Sequence, residues 1–172
     1  MELELVYACP GEAVFDSTGF SVFRPSATRY AALVVGIRRW IGTGRIAVDE
    51  LRRSRAVGLW DTRLRIVGGP MAAFAERYYV RRPDGLLLAG VAISAGAGDG
   101  DRASVELLRS TIYHVTVPPD GAVEIDGVKV SPGPLRLTEG AHEVTWSPRT
   151  RGVIEITAST CAERTAGSRG SA

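Results

Sequence analysis

The chain has 172 residues, 21 basic against 19 acidic side chains, and 45% hydrophobic residues. A chain of that length suits one compact domain and hides roughly 70% of its unfolded surface with no metal or disulfide staple. Its composition excludes collagen-like and disordered chains. Its longest uncharged run, the 14 residues from Gly85 to Gly98, is too short to span a bilayer as a helix.

The first residues, Met1-Glu2-Leu3-Glu4-Leu5, carry neither the basic n-region nor the apolar h-region of a signal peptide. The reading is cytoplasmic as encoded, and extracytoplasmic if the chain is an excised domain. Turn signals recur along the chain, at Cys9-Pro10-Gly11, Gly42-Thr43-Gly44, Gly68-Gly69-Pro70, Pro83-Asp84-Gly85, Pro118 to Gly121 and Glu139-Gly140 among others. Short stretches rich in Val, Ile, Leu, Phe and Tyr lie between them, the rhythm of an all-β sandwich or barrel. Strands are expected at Glu2–Tyr7, Phe20–Phe23, Leu64–Val67, Ala72–Arg81, Leu86–Ser94, Thr111–Val117, Val123–Val130, His142–Trp146 and Val153–Ala158, with a short one at Leu135–Leu137. Leu86 to Ile93 is almost continuously apolar, as a central strand buried on both faces requires.

Two segments read differently. Ser26 to Ile41 sets Tyr30, Leu33, Val34, Ile37, Trp40 and Ile41 on one helical stripe, yet Ala31, Leu33, Val35 and Ile37 also alternate as a strand, and both readings stand. Ala47 to Ser54 predicts a short helix with acid early and base late. The expected fold is therefore mainly β: a single-domain β-sandwich over residues 1–160, with one or two short helices within 26–56 and a flexible tail over 161–172. In the last third, Asp126-Gly127 is a two-residue hairpin turn between Val123–Ile125 and Val128–Val130. Period-two alternation then buries Val144 and Trp146 and turns Glu143 and Thr145 outward.

The stretch Gly121-Ala122-Val123-Glu124-Ile125-Asp126-Gly127, with Pro134-Leu135-Arg136-Leu137 and Gly140-Ala141-His142-Glu143-Val144, resembles a PEGA-type β module over residues 119–146. Such modules carry a GAxVxxDG … PLxL … GxHxV pattern. Ser131-Pro132-Gly133 stands here where the family has a glycine-threonine pair. The resemblance implies a small β-sandwich that serves for contact in surface or multi-domain proteins, not for catalysis.

The chain contains no Asn and no Gln, and Lys129 is its only lysine beside 20 arginines. Depletion of heat-labile amides points to a hot-living source, and a GC-rich genome is the alternative explanation of the arginine bias. Cys9 and Cys161 are too few for a closed zinc site, which leaves a candidate disulfide between the two ends of the chain or two free buried thiols. His114 and His142 could hold a metal only with added carboxylates. No P-loop, HExxH, GxSxG or dinucleotide fingerprint occurs, so no cofactor is expected and the chain reads away from an enzyme.

Charge is distributed unevenly. From Arg24 to Arg82 there are 13 Arg and four acids, a net of +9, while residues 1–23 carry −4 and residues 83–172 carry −3. Arg38, Arg39, Arg52, Arg53 and Arg55, with Trp40 and Trp60, make a candidate polyanion-binding set, because guanidinium groups grip phosphates and aromatic rings stack on bases. The opposing expectation is an ion-pair network across a solvated face. The leading function is a non-catalytic binding or structural β-sandwich module contacting a protein, a glycan or an anionic surface. The alternative is a nucleic-acid-binding protein using residues 24–82. No membrane span is expected, and the oligomeric state stays open.

Overall fold

The structure, a computed structural model, describes residues 8–15, 45–60, 69–96, 101–119, 121–161 and 163–165. The chain is mainly β, as the turn spacing predicts. The domain expected over residues 1–160 divides into two compact units. Unit 1 holds the described residues through Ala89 together with those from Thr160 onward, and unit 2 is Gly90–Ser159. The expected strands at 2–7, 20–23 and 64–67, and the ambiguous segment 26–41, lie outside the described residues.

Unit 1 is built on strand β1 (Val14–Phe15), helix α1 (Arg45–Ser54), strand β2 (Gly58–Trp60), helix α2 (Gly69–Tyr78), strand β3 (Tyr79–Arg81) and the first residues of strand β4 (Leu86–Ala95). β1 pairs parallel with β2, and β2 and β3 both pair antiparallel with β4. Flanked in this way, Leu86, Leu87, Leu88 and Ala89 are all buried, which is why that stretch has no polar alternation.

The strand expected over Ala72–Arg81 is corrected: residues 72–78 are helical, and only Tyr79–Arg81 is extended. Pro70 presets a helical φ in the first turn. Met71, Phe74, Ala75 and Tyr78 then fall on one stripe, and all four are buried. The β-forming aromatics misled the reading, because their spacing of three and four residues outweighs their strand propensity. α1 begins two residues before the expected helix, packs on α2, and buries Leu51 completely.

The tail expected from residue 161 is also corrected. Thr160 opens a helical turn with a capping box: its hydroxyl accepts from the Glu163 N–H, and the Glu163 carboxylate accepts from the Thr160 N–H. Cys161 is bonded to Cys9, with Cα atoms 4.9 Å apart. Arg164 pairs with Glu12 at 2.5 Å, and Glu12 also accepts from the Cys9 backbone N–H.

Unit 2 contains two antiparallel sheets. One takes the remainder of β4, then β11 (Gly152–Ala158), β6 (Thr111–Thr116) and β9 (Gly133–Leu137). The other runs β5 (Arg102–Leu107), β10 (Gly140–Trp146), β7 (Val123–Ile125) and β8 (Val128–Val130). Each sheet buries alternate residues: Tyr113, Val115, Ile154 and Ile156 on one, and Val123, Ile125, His142 and Val144 on the other. These two half-buried sheets make the sandwich core. At Gly90 the backbone of β11 comes so close that a Cβ would sit 2.0 Å from the Ile156 carbonyl oxygen. Asp126 and Gly127 have φ of 53° and 76°, the left-handed pair that the expected two-residue turn requires.

Val144 is fully buried and Glu143 exposed, as the alternation predicts. Trp146 is only half-buried. It lies at the end of β10, where it lines a 330 Å³ groove together with Asp101, Glu124, Lys129 and Thr145. β5 has no counterpart among the expected strands. Its sequence, Arg-Ala-Ser-Val-Glu-Leu, has weak strand propensity and a single buried residue, Leu107, so its conformation comes from pairing with β10.

Candidate functional site

The expected polyanion set is only partly within the described residues. Arg38, Arg39 and Trp40 lie outside them, and for Trp60 the backbone alone is described, in β2. Arg52, Arg53 and Arg55 lie together at the C-terminal end of α1, and all three are exposed. Cations collect there for a physical reason. The last carbonyls of a helix carry its negative dipole end, and basic side chains neutralise it. Arg53 shows this directly, since its Nε donates to the Asp49 carbonyl at 3.3 Å. Leu51 anchors the other side of the helix in the core, which turns positions 52, 53 and 55 to the surface.

Arg55 closes the helix in a left-handed conformation, with φ of 51°, while its N–H donates to the Leu51 carbonyl. That is the position where a glycine usually ends a helix. An arginine there carries backbone strain on the order of 1 kcal/mol or more.

The aromatic part of the expectation is corrected. Phe74, Tyr78 and Tyr79 are buried, at 4–5% exposure, and offer no open face on which a base could stack. They serve instead as a platform for cations. Phe74 and Tyr78 have ring centroids 4.8 Å apart. The Arg52 guanidinium lies 5.8 Å from the centroid of Phe74, and Arg77 lies 5.2 Å from that of Tyr78. The order Arg52, Phe74, Tyr78, Arg77 thus runs from α1 onto α2. Stacking uses the face of a guanidinium, while its N–H donors point outward in the plane of the group. Such an array holds arginines in fixed positions and suits oxyanions better than bases. Sequence reasoning missed Arg77 because it read residues 72–81 as a strand, which breaks the spacing between Arg77 and α1.

The histidines do not come together as a metal pair. His114 is exposed on β6. His142 is buried, and both its ring nitrogens are engaged: Nδ1 is 2.6 Å from Asp126 Oδ2, and Nε2 is 2.9 Å from the Thr138 carbonyl oxygen. Among the described residues no three His, Cys, Asp or Glu side chains gather as metal ligands, and no helix is long and apolar enough to cross a membrane. The two cysteines are joined, so neither is a free thiol. Arg164 Nη2 lies 3.4 Å from Cys9 Sγ, which places a cation beside the bridge. The chain matches no protein-family model, no curated protein and no solved structure.

Proposed function

We propose that the chain is a non-catalytic binding module that holds an anionic partner against the arginine end of α1. One observation carries this reading: Arg52, Arg53 and Arg55 are exposed side by side at a helix terminus, with Arg52 fixed over the Phe74 ring. Contacts of this kind recognise sulfate, phosphate or carboxylate groups by charge. They fit an acidic glycan or an acidic protein surface. Nucleic acid remains the alternative, restricted to its phosphate backbone, because the neighbouring aromatic rings are buried. On this reading unit 2 contributes protein contacts of the kind that its resemblance to PEGA-type modules implies.

The experiment is a salt titration of binding to a double-stranded oligonucleotide, used as a regular array of phosphates. Each neutralised phosphate releases counterions, so affinity should fall steeply between about 50 and 200 mM salt. Binding that is undetectable at 50 mM salt contradicts the proposal.

A further inference from the structure

The outer strand of the β5-β10-β7-β8 sheet has a charge order that is complementary to itself. Trp146 N–H donates to the Asp101 carbonyl at 2.7 Å, which fixes the direction of backbone groups along the strand. From Asp101, alternate residues Ala103, Val105 and Leu107 aim their N–H and C=O groups at β10. Arg102, Ser104 and Glu106 therefore aim theirs at the opposite edge, which pairs with no described residue. The side chains of these same three residues are exposed on one face of the sheet, while Leu107 is buried on the other.

We infer that this edge is the contact between two copies of the chain, paired antiparallel about Ser104. In that register Arg102 lies opposite Glu106 of the partner subunit, and Glu106 opposite Arg102 of the partner subunit. Ser104 meets Ser104 of the partner subunit. All three positions present edge-directed backbone groups, so the register satisfies about six main-chain hydrogen bonds. Each charge faces its opposite on the same side of the sheet, where directly opposed pairs interact. The contact is isologous, as a two-fold dimer requires.

Charge order is what separates this edge from an ordinary protected one. Natural sheets block edge pairing with like charges or proline. The other outer strand of this sheet, β8, is three residues long and centred on Lys129, which would face its own copy. β9, outermost in the second sheet, carries Pro134 and lacks that N–H donor. β5 is the longest of the three, has no proline, and places opposite signs at equal distances from its centre.

The test is sedimentation equilibrium of the full chain from about 1 µM to 1 mM, with three variants. The unmodified chain should show a concentration-dependent monomer–dimer equilibrium. R102E sets two acids opposite each other at both ends of the contact and should weaken dimerisation by about tenfold or more. R102E/E106R restores opposite signs and should recover dimerisation. S104P removes an N–H that faces away from β10, so the monomer should keep its fold and melting curve while dimerisation is lost. A chain that stays monomeric at 1 mM overturns the inference. So does a dimer that R102E and S104P leave unchanged, or an R102E/E106R double variant that dimerises no better than R102E.

Discussion

His142 Nδ1 lies 2.6 Å from Asp126 Oδ2, and the opposite ring nitrogen faces the Thr138 carbonyl. A carbonyl only accepts, so Nε2 donates, and a carboxylate oxygen is best met by a second donor on Nδ1. The imidazolium, with two N–H groups, satisfies both. Asp126 is the first residue of the hairpin turn between β7 and β8, and its Oδ1 also accepts from the Glu143 N–H. The pair thus locks that turn onto β10.

The direction of each pKa follows from this geometry. Burial opposes charge on His142, but the Asp126 hydrogen bond, the Thr138 carbonyl and the Asp126 charge outweigh it and raise the pKa above 6.5. The His142 hydrogen bond lowers Asp126 below 3.8. A raised histidine contributes stability that is fully present below about pH 6.5 and is lost as pH rises through the folded-state value. The lowered carboxylate contributes above about pH 3.8 and loses its effect as pH falls through its own folded-state value. Urea midpoints should therefore hold between about pH 4 and 6.5 and decline on the alkaline side. In D126N, where Asn suits the positive φ, the alkaline decline should shrink. An unchanged alkaline slope in D126N contradicts the lock.

The Cys9–Cys161 bridge closes a loop across 152 positions of sequence. Cross-linking so long a loop restricts the unfolded chain, and its removal typically costs about 2–5 kcal/mol. The C9S/C161S chain, or the parent under a strong reductant, should unfold at correspondingly lower urea. An unchanged midpoint would mean that the capping box at Thr160 and the Arg164–Glu12 pair hold the C-terminal segment unaided.

Gly90 sits where a side chain has no room. A methyl group would meet the Ile156 carbonyl at 2.0 Å and the Thr157 Cα at 2.8 Å. Backbone has to move, so Gly90→Ala should cost about 3 kcal/mol or more, from steric strain together with an unfavourable φ. Thermal unfolding of that variant is the check, and a melting point within a degree or two of the parent contradicts the close approach of β4 and β11.

How far these features were legible depended on whether neighbouring residues carried the signal. Asp126-Gly127 announced its turn because few residue pairs adopt two successive positive φ angles. Leu86–Ile93 announced burial on both faces through its lack of polar residues. Residues 72–78 misled because Phe74 and Tyr78 favour strands, while the helical spacing extends back to Met71, before the expected strand begins. β5 was illegible, since Arg102, Ser104 and Glu106 bury nothing and take their conformation from β10. The His142–Asp126 pair was beyond local reading, because strand pairing brings together residues 16 apart in sequence. In the same way, the arginine run at 52–55 was visible, but its support on Phe74 depends on α2.

The central claim is that guanidinium groups at the end of α1 bind an anionic partner, and the most direct measurement compares the salt dependence of oligonucleotide binding between the parent and R52S/R53S/R55G. R55G relieves the left-handed strain at position 55, so the variant should unfold no more readily than the parent, and that is checked first by thermal unfolding. If each arginine meets one phosphate, the slope of log affinity against log salt should flatten by about three units. A folded variant that binds with the parent's slope and affinity would contradict the account and place the anion-binding surface elsewhere.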